Sequence, residues 1–295
     1  MDSIKPEIDK LWDLYAEKAR IKSPHDNEFN KTITEFEKKA EKTVVKKLNP
    51  WLQILEEGVQ WLANLNATLD IALKENKDDK SLRVPWALVG AACTQSVAIR
   101  RLVLSGLDSP ARSILRSLDE HFMVCIVTLA ERELRNGFFK PDSPEEARVF
   151  WHKELTSKKI ESRIIEIEKT IGFDEETIEE FNEFRKQEKA INSLAVHPSY
   201  ATSALTAMPI CLDELDYNKP GILGCASELS IRTMDYACKS IWYFSMVGFL
   251  LLFEPYLNKP PLFRLNPKDE MSQVVVIGRE IISKLVIKYW EYDSI

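Results

Sequence analysis

Four arginines lie close to one short connection in the middle of this 295-residue sequence. Arg100 and Arg101 precede the segment 105–110, and Arg112 and Arg116 follow it. In an antiparallel pair of helices joined there, all four side chains come within about two helical turns of the connection. A helix N-terminus offers free amides and a positive dipole, and guanidinium groups match the geometry of phosphate oxygens. The pattern predicts an anion-binding site formed by these four arginines.

The same arginines fit a second interpretation, a purely structural ion-pair network. Asp108, Asp119 and Glu120 lie near enough in the sequence to neutralise them. Arg116 and Glu120 are four residues apart, the spacing of an ordinary intrahelical ion pair. Both interpretations stay open on the sequence.

Two histidines stand where an imidazole could transfer protons near neutral pH. His121 ends the segment Arg116-Ser-Leu-Asp-Glu-His121, and His197 lies in the segment Ser193-Leu-Ala-Val-His197-Pro-Ser199. Each also has a structural interpretation. Residues five apart on a helix diverge by about 140°, so His121 would lie at the edge of the core face, away from Arg116. His197, followed by a proline, would simply end a helix.

The segment from Arg116 to His121 resembles the signature of the HEPN-domain ribonucleases. The resemblance implies a helical bundle that works as a homodimer and cleaves RNA without a metal ion. In such a site histidine transfers a proton at the 2′-hydroxyl, and arginine stabilises the charge of the phosphorane. The candidate catalytic residues are therefore Arg116, Glu120, His197 and His121, and Arg112 or Arg100 would help to hold phosphate.

A second resemblance covers about residues 85–200. The helix with Arg112, Arg116 and Glu120, together with the Val-His-Pro-Ser turn at His197, is similar to a functionally uncharacterised family of bacterial all-helical proteins. This resemblance implies that Arg116, Glu120 and His197 meet in space, but it supplies no reaction. Asn192 occupies the position five residues before His197, where HEPN proteins carry an arginine.

Two functions from different classes follow. The first is a metal-independent HEPN-like ribonuclease, a defence or toxin-type effector that acts on RNA or another phosphate-bearing ligand. The second is a non-catalytic helical interaction or regulatory protein, in which a buried Arg–Glu–His network fixes the packing of the bundle.

Other chemistry is absent from the sequence. The nine glycines form neither a dinucleotide fingerprint nor a phosphate-binding loop. The four histidines and five cysteines show no metal-ligand spacing, so we expect no metal and no cofactor. The net charge of −6 indicates no general affinity for nucleic acid.

Hydrophobic spacings of three and four along nearly the whole chain predict an all-α fold. We expect a multi-helix bundle around a central apolar hairpin, with an N-terminal helical arm over 1–78, a central bundle over 79–258 and a C-terminal helix over 259–295 that packs on it. In the hairpin, a helix over 86–104 should be buried on most sides, and Ser109 and Pro110 should begin the second helix. Further helices are predicted over about 143–170, 174–196, 222–253 and 266–292.

The membrane question concerns one segment, Ser240 to Phe253, which has 14 residues without a charge. As a helix it measures about 21 Å, short of the ~30 Å hydrocarbon core of a bilayer. It therefore predicts a buried core helix and no membrane span. The first residues lack the pattern of a secretory signal, so the expected location is the cytoplasm.

Overall fold

A computed structural model of the chain describes residues 5–20, 45–75, 78–196 and 228–290, with three pairs of helical residues between positions 34 and 42. Within these ranges it contains ten α-helices, one 3-10 helix and no β-strand. The predicted all-α, multi-helix architecture is confirmed.

Numbered in chain order, the elements are α1 (Lys5–Ala19), α2 (Trp51–Glu75), a 3-10 helix (Lys80–Leu82), α3 (Arg83–Leu104), α4 (Asp108–Ala130), α5 (Arg132–Phe139), α6 (Pro144–Glu154), α7 (Ser157–Ile171), α8 (Glu175–Val196), α9 (Glu228–Phe253) and α10 (Glu270–Lys288). From α2 to α8 the helices follow one another with short connections, whereas long stretches of sequence separate α1 from α2 and α8 from α9.

Helices α3 and α4 form the predicted hairpin and pack along each other. Gly106 follows α3 with a φ of 71°, the left-handed conformation that glycine adopts without strain. The predicted start of α4 was wrong: the helix begins at Asp108, and Leu107 precedes it. Pro110 is accommodated as the third residue of the helix, because the first amides of a helix have no intrahelical acceptor. The Asp108 carboxylate in that first turn suits the helix dipole, and it accepts a hydrogen bond from Ser230 at 2.7 Å.

The core is built around α9, which packs against α2, α3, α4 and α10. The Phe244 ring of α9 stacks on Phe122 of α4 with 4.7 Å between centroids, and Trp61 of α2 meets it edge-on at 6.2 Å. These aromatic contacts join three helices through one ring, so Phe244 is a central packing residue of the bundle.

Two helical stretches, 80–104 and 229–253, would be long and apolar enough to cross a bilayer. In the most apolar 18 residues of the second stretch, 83% are buried inside the protein, as in a core helix. In the corresponding window of the first stretch, 39% are buried, because α3 packs against α2, α4 and α9 but keeps one side at the surface. Its uncharged run turns small residues outward, among them Ala87 and Thr94. A lack of charge did not mean burial, because small residues are tolerated at the surface.

Helix α2 lies at the centre of the bundle, although the sequence grouped it with the N-terminal arm. It packs on α3, α9 and α10, and the side chains of Trp51, Leu55 and Leu62 are buried. The chain turns at Asn49 and Pro50 immediately before this helix, where the sequence predicted an interruption.

The helix expected over about 143–170 is two helices, α6 and α7. Its start is as predicted, because the Ser143 hydroxyl accepts a hydrogen bond from the amide of Glu146 at 3.2 Å. The helix ends at Glu154, and the side chain of the next residue, Leu155, is buried in the core. Arg163 Nη1 of α7 donates to the carbonyl oxygen of Glu154 at 2.5 Å and stabilises the end of α6.

Candidate functional site

Arg112 is a completely buried guanidinium, 0% exposed. Its Nη1 donates to Glu188 Oε2 at 2.7 Å and to Asn192 Oδ1 at 3.0 Å, both on α8. Its Nε and Nη2 have no hydrogen-bond partner among the described residues. The residue joins α4 to α8 inside the protein and lies away from solvent.

The other three predicted anion-binding or catalytic arginines lie nearer the surface. Arg100 pairs with Glu56 of α2, with Nε to Oε1 at 2.8 Å. Arg116 pairs with Glu120 of its own helix, with Nε to Oε1 at 3.2 Å. Arg101 is exposed and forms no ion pair with another described residue. Carboxylates thus neutralise three of the four guanidiniums. Two of the three carboxylates, those of Glu188 and Glu56, belong to other helices than the arginines they pair with.

His121 is half-buried and engaged in local contacts. Its Nδ1 lies 2.7 Å from the Ser117 carbonyl oxygen and 3.4 Å from Gln95 Nε2 of α3. Gln95 Nε2 also donates to Ser117 Oγ at 2.8 Å. These contacts hold the ring against α3, while the Arg116 side chain turns to Glu120. No hydrogen bond joins His121 to Arg116.

His197 lies outside the described residues, which end at Val196 before that gap. The predicted meeting of His197 with Arg116 and Glu120 therefore stays a prediction. Asn192, one of the two partners of Arg112, lies five residues before it on α8.

A second polar cluster, which the sequence reasoning did not predict, lies between α4, α7, α8 and α9. Arg185 of α8 donates to Glu168 of α7, with Nη1 to Oε1 at 2.7 Å. The Tyr243 hydroxyl of α9 donates to the same Oε1 at 2.5 Å. Burial raises the pKa of Tyr243 well above its ordinary range. Glu168 is fully buried, and these two donors satisfy its charge.

Asp119 of α4 adds a titratable carboxyl to this cluster. Loss of solvent raises its pKa to about 6, against a hydrogen bond from Tyr236 and the charge of Arg185, which lower it. Burial also raises the pKa of Tyr236, and the neighbouring Asp119 charge adds to that effect. The Asp119 carboxyl therefore changes its charge state at about pH 6.

Lys239 of α9 is a buried ammonium among aromatic rings. Its Nζ lies 4.6 Å from the Trp290 centroid, 5.4 Å from Phe184 and 2.9 Å from Asp235 Oδ1. The rings and the carboxylate together stabilise the buried charge.

A cavity of about 20 Å³ lies between the Arg185–Tyr243 contact and the rings around Lys239, with room for about one water molecule. It is lined by Asp119, Met123, Phe181, Phe184, Arg185, Tyr236, Lys239, Ser240, Trp242, Tyr243 and Trp290.

A signal for part of this arrangement was present in the sequence. Arg112 and Asp119 occur at the helical spacing of the apolar residues Leu115 and Phe122, which places all four on one face of α4. A charged residue within an apolar stripe is buried with its partner when the stripe faces the core. The partners Glu188 and Arg185 are more than 60 positions away, and nothing local identifies them.

Among the residues that the structure describes, no group of three or more His, Cys, Asp or Glu side chains is placed to hold a metal ion. The three described cysteines, Cys93, Cys125 and Cys238, are free thiols.

The fold and these contacts define the class: an all-α bundle whose charged residues pair between helices in its interior. Comparisons with known protein families, with curated proteins and with solved structures find no match for the chain.

Proposed function

We propose that this protein is a non-catalytic helical interaction protein. The observation that carries the proposal is where its exposed apolar side chains lie. Of 17 large hydrophobic side chains that are exposed in the described part of the chain, ten belong to two helices, five to α1 and five to α10. On α10, Val274, Ile277 and Ile281 share one face, and an exposed apolar cluster of this kind is typical of a surface that binds another protein.

The arginine contacts support the same proposal. Arg112, the guanidinium closest to the core, donates to α8 and is closed to solvent. An anion would have to displace Glu188 or enter a sealed interior to reach it. Its pairing favours a structural role that fixes α4 against α8, as the interaction hypothesis requires.

The HEPN-like ribonuclease is the second candidate, and one observation favours it. Arg101 is exposed without an ion pair among the described residues, and the side chains of Arg100 and Arg116 are partly exposed. These three side chains can contact the phosphates of an RNA at the surface of the hairpin.

An RNA cleavage assay separates the two functions. We expect the purified chain to leave a mixed-sequence single-stranded RNA intact in EDTA, with no difference from the Arg116→Ala/His121→Ala double variant. Cleavage by the wild type that disappears in the double variant, while its thermal unfolding is unchanged, would establish the ribonuclease instead. Arg148→Ala is the matched control, because Arg148 forms a similar exposed intrahelical pair with Glu145 on α6.

The exposed faces have their own test within this proposal. Leu11→Lys on α1 should leave the melting temperature within about 2 °C of the wild type, because an exposed side chain contributes little to folding. A larger fall would mean that this face belongs to the fold and does not serve a partner.

A further inference from the structure

Helix α10 is held in one orientation by contacts along its inner side. The Trp61 indole of α2 donates to the Val275 carbonyl oxygen at 3.0 Å. Arg279 Nε donates to the Ser245 carbonyl oxygen of α9 at 3.0 Å. Gly278 allows close approach to α2, since a Cβ there would lie 3.0 Å from Trp61 Cδ1. The opposite side of α10 consequently faces solvent.

That opposite side is apolar in the middle and charged at both ends. Val274, Ile277 and Ile281 are exposed, and Ile277 is the most exposed of the three at 56%. At about 100° per residue these side chains lie within about 60° of one another. Glu270 lies in line with them at the start of the helix, and Lys284 and Lys288 lie in line at its end. We call this set of six residues the outer stripe.

The six residues of the outer stripe form three pairs that lie symmetrically about position 279, so the stripe can pair with a second copy of itself. Val274 and Lys284, five residues on either side, then lie opposite each other, and the other two pairs carry the complementarity. Ile277 and Ile281 lie two residues on either side, and Glu270 and Lys288 lie nine residues on either side. When two copies of the helix pack antiparallel about this point, Ile277 meets Ile281 and Glu270 meets Lys288 at both ends. Their dipoles also oppose each other favourably. In a parallel pair, by contrast, Glu270 would face Glu270 and Lys288 would face Lys288.

We propose that α10 binds α10 of a second copy of this chain, antiparallel and around a two-fold axis. The inference rests on the proposed interaction function and names its partner. A two-fold contact of this kind uses the same patch on both copies, and every contact occurs twice. The paired isoleucines form its centre, and the Glu270–Lys288 pairs set the antiparallel direction.

Sedimentation of the full chain over about a hundredfold range of concentration tests the contact, because dimerisation depends on mass action. We expect a monomer–dimer equilibrium in the wild type. Ile277→Glu should weaken it by at least about 100-fold, since it places two carboxylates in one apolar contact, each costing more than a factor of ten. Ile71→Glu is the matched control, because Ile71 on α2 is similarly exposed, at 49%. It should leave the dimer unchanged.

Charge reversal tests the direction. Glu270→Lys and Lys288→Glu should each weaken the dimer several-fold, because each puts like charges opposite each other. The double variant should recover the wild-type dissociation constant, which only an antiparallel pair predicts. Circular dichroism confirms that each variant is folded.

A chain that stays monomeric throughout overturns the proposal, and so does a dimer that Ile277→Glu leaves intact. A dimer that the double variant fails to restore overturns the antiparallel arrangement. The RNA cleavage assay tests the non-catalytic function, and the sedimentation experiments test the dimer. The two proposals can therefore fail separately.

Discussion

The buried Arg112 joins α4 to α8 and is closed to solvent, which favours a structural role for it over anion binding. Removing a guanidinium from water is costly, and the protein offsets this cost with one carboxylate and one amide oxygen of α8. The energetic consequence is asymmetric. Removing Glu188 alone leaves the buried Arg112 charge uncompensated, whereas removing Arg112 and Glu188 together leaves no buried charge.

We predict that Glu188→Ala lowers the free energy of unfolding by about 3–5 kcal/mol, because it strands the Arg112 charge. The double variant Arg112→Met/Glu188→Leu, which removes both charges, should be more stable than Glu188→Ala and recover most of that loss. Urea unfolding measures both. The exposed pair of Arg116 and Glu120 is the matched control, and Glu120→Ala should cost no more than about 0.5 kcal/mol. Equal losses at the two glutamates would contradict the structural role of Arg112.

The Asp119 carboxyl gives the fold a pH dependence of predictable sign. Its pKa is about 6 in the folded protein and 3.8 ordinarily, so the folded state keeps its proton over a range where the unfolded chain has lost it. Stability from this group is therefore complete below about pH 4, falls as the pH rises, and is lost above about pH 6. The charged neighbours that act on it are Arg185, Lys189 and Glu120.

Asp119→Asn removes this titration while it preserves an oxygen that accepts from Tyr236. We predict that the unfolding free energy of the wild type, relative to this variant, falls by at most about 3 kcal/mol from pH 4 to pH 7. Urea unfolding at a series of pH values measures the difference, and a flat difference would contradict it. Asp174→Asn is the control of opposite sign. The Thr177 amide lowers the Asp174 pKa, so its contribution is lost as the pH falls.

At the scale of elements, α9 shows how closely the helices pack. Gly248 lies one turn after Phe244, the ring that stacks on Phe122. A Cβ at Gly248 would lie 2.4 Å from Phe244 Cε2, and the stacked ring is not free to move away. The glycine is needed for space in the core, because helical propensity alone would favour alanine there.

Gly248→Ala should therefore destabilise the protein by about 1–3 kcal/mol, although the same change in an exposed helix stabilises it by up to about 1 kcal/mol. Thermal unfolding measures the change. A higher melting temperature would show that Phe244 can move at little cost. In a Phe244→Leu background the same change should cost less, since the smaller side chain leaves room for the new methyl group.

The elements themselves were largely predictable. Helical spacing and capping residues are local properties, so the hairpin, the cap at Ser143 and the cap at Asp174 follow from neighbouring residues. Asp174 Oδ1 does accept from the Thr177 amide at 2.8 Å. The break between α6 and α7 was not predictable, because it depends on a pocket in the core that receives Leu155.

At the scale of the whole molecule, several charged side chains are buried while many large apolar side chains of α1 and α10 are exposed. Arg112 pairs with Glu188, and Arg185 pairs with Glu168, in two buried clusters between helices, while α1 and α10 keep apolar side chains at the surface. A bundle that can bury charges in pairs has no need of these outer faces for its own core. Their exposure is the reason to assign them to an interaction.

The sequence by itself determined the all-α fold, the hairpin and the helix starts capped by Ser143 and Asp174, since each depends on residues within a few positions of one another. The spacing that puts Arg112 and Asp119 in line with Leu115 and Phe122 is also present in the sequence, which nevertheless predicted an anion-binding role for Arg112. Only the tertiary structure decided which carboxylate each arginine meets, that α2 lies in the core, and which side of α10 faces solvent. Those outcomes depend on residues tens to hundreds of positions apart, whose meeting is set by the packing of whole helices and leaves no local pattern.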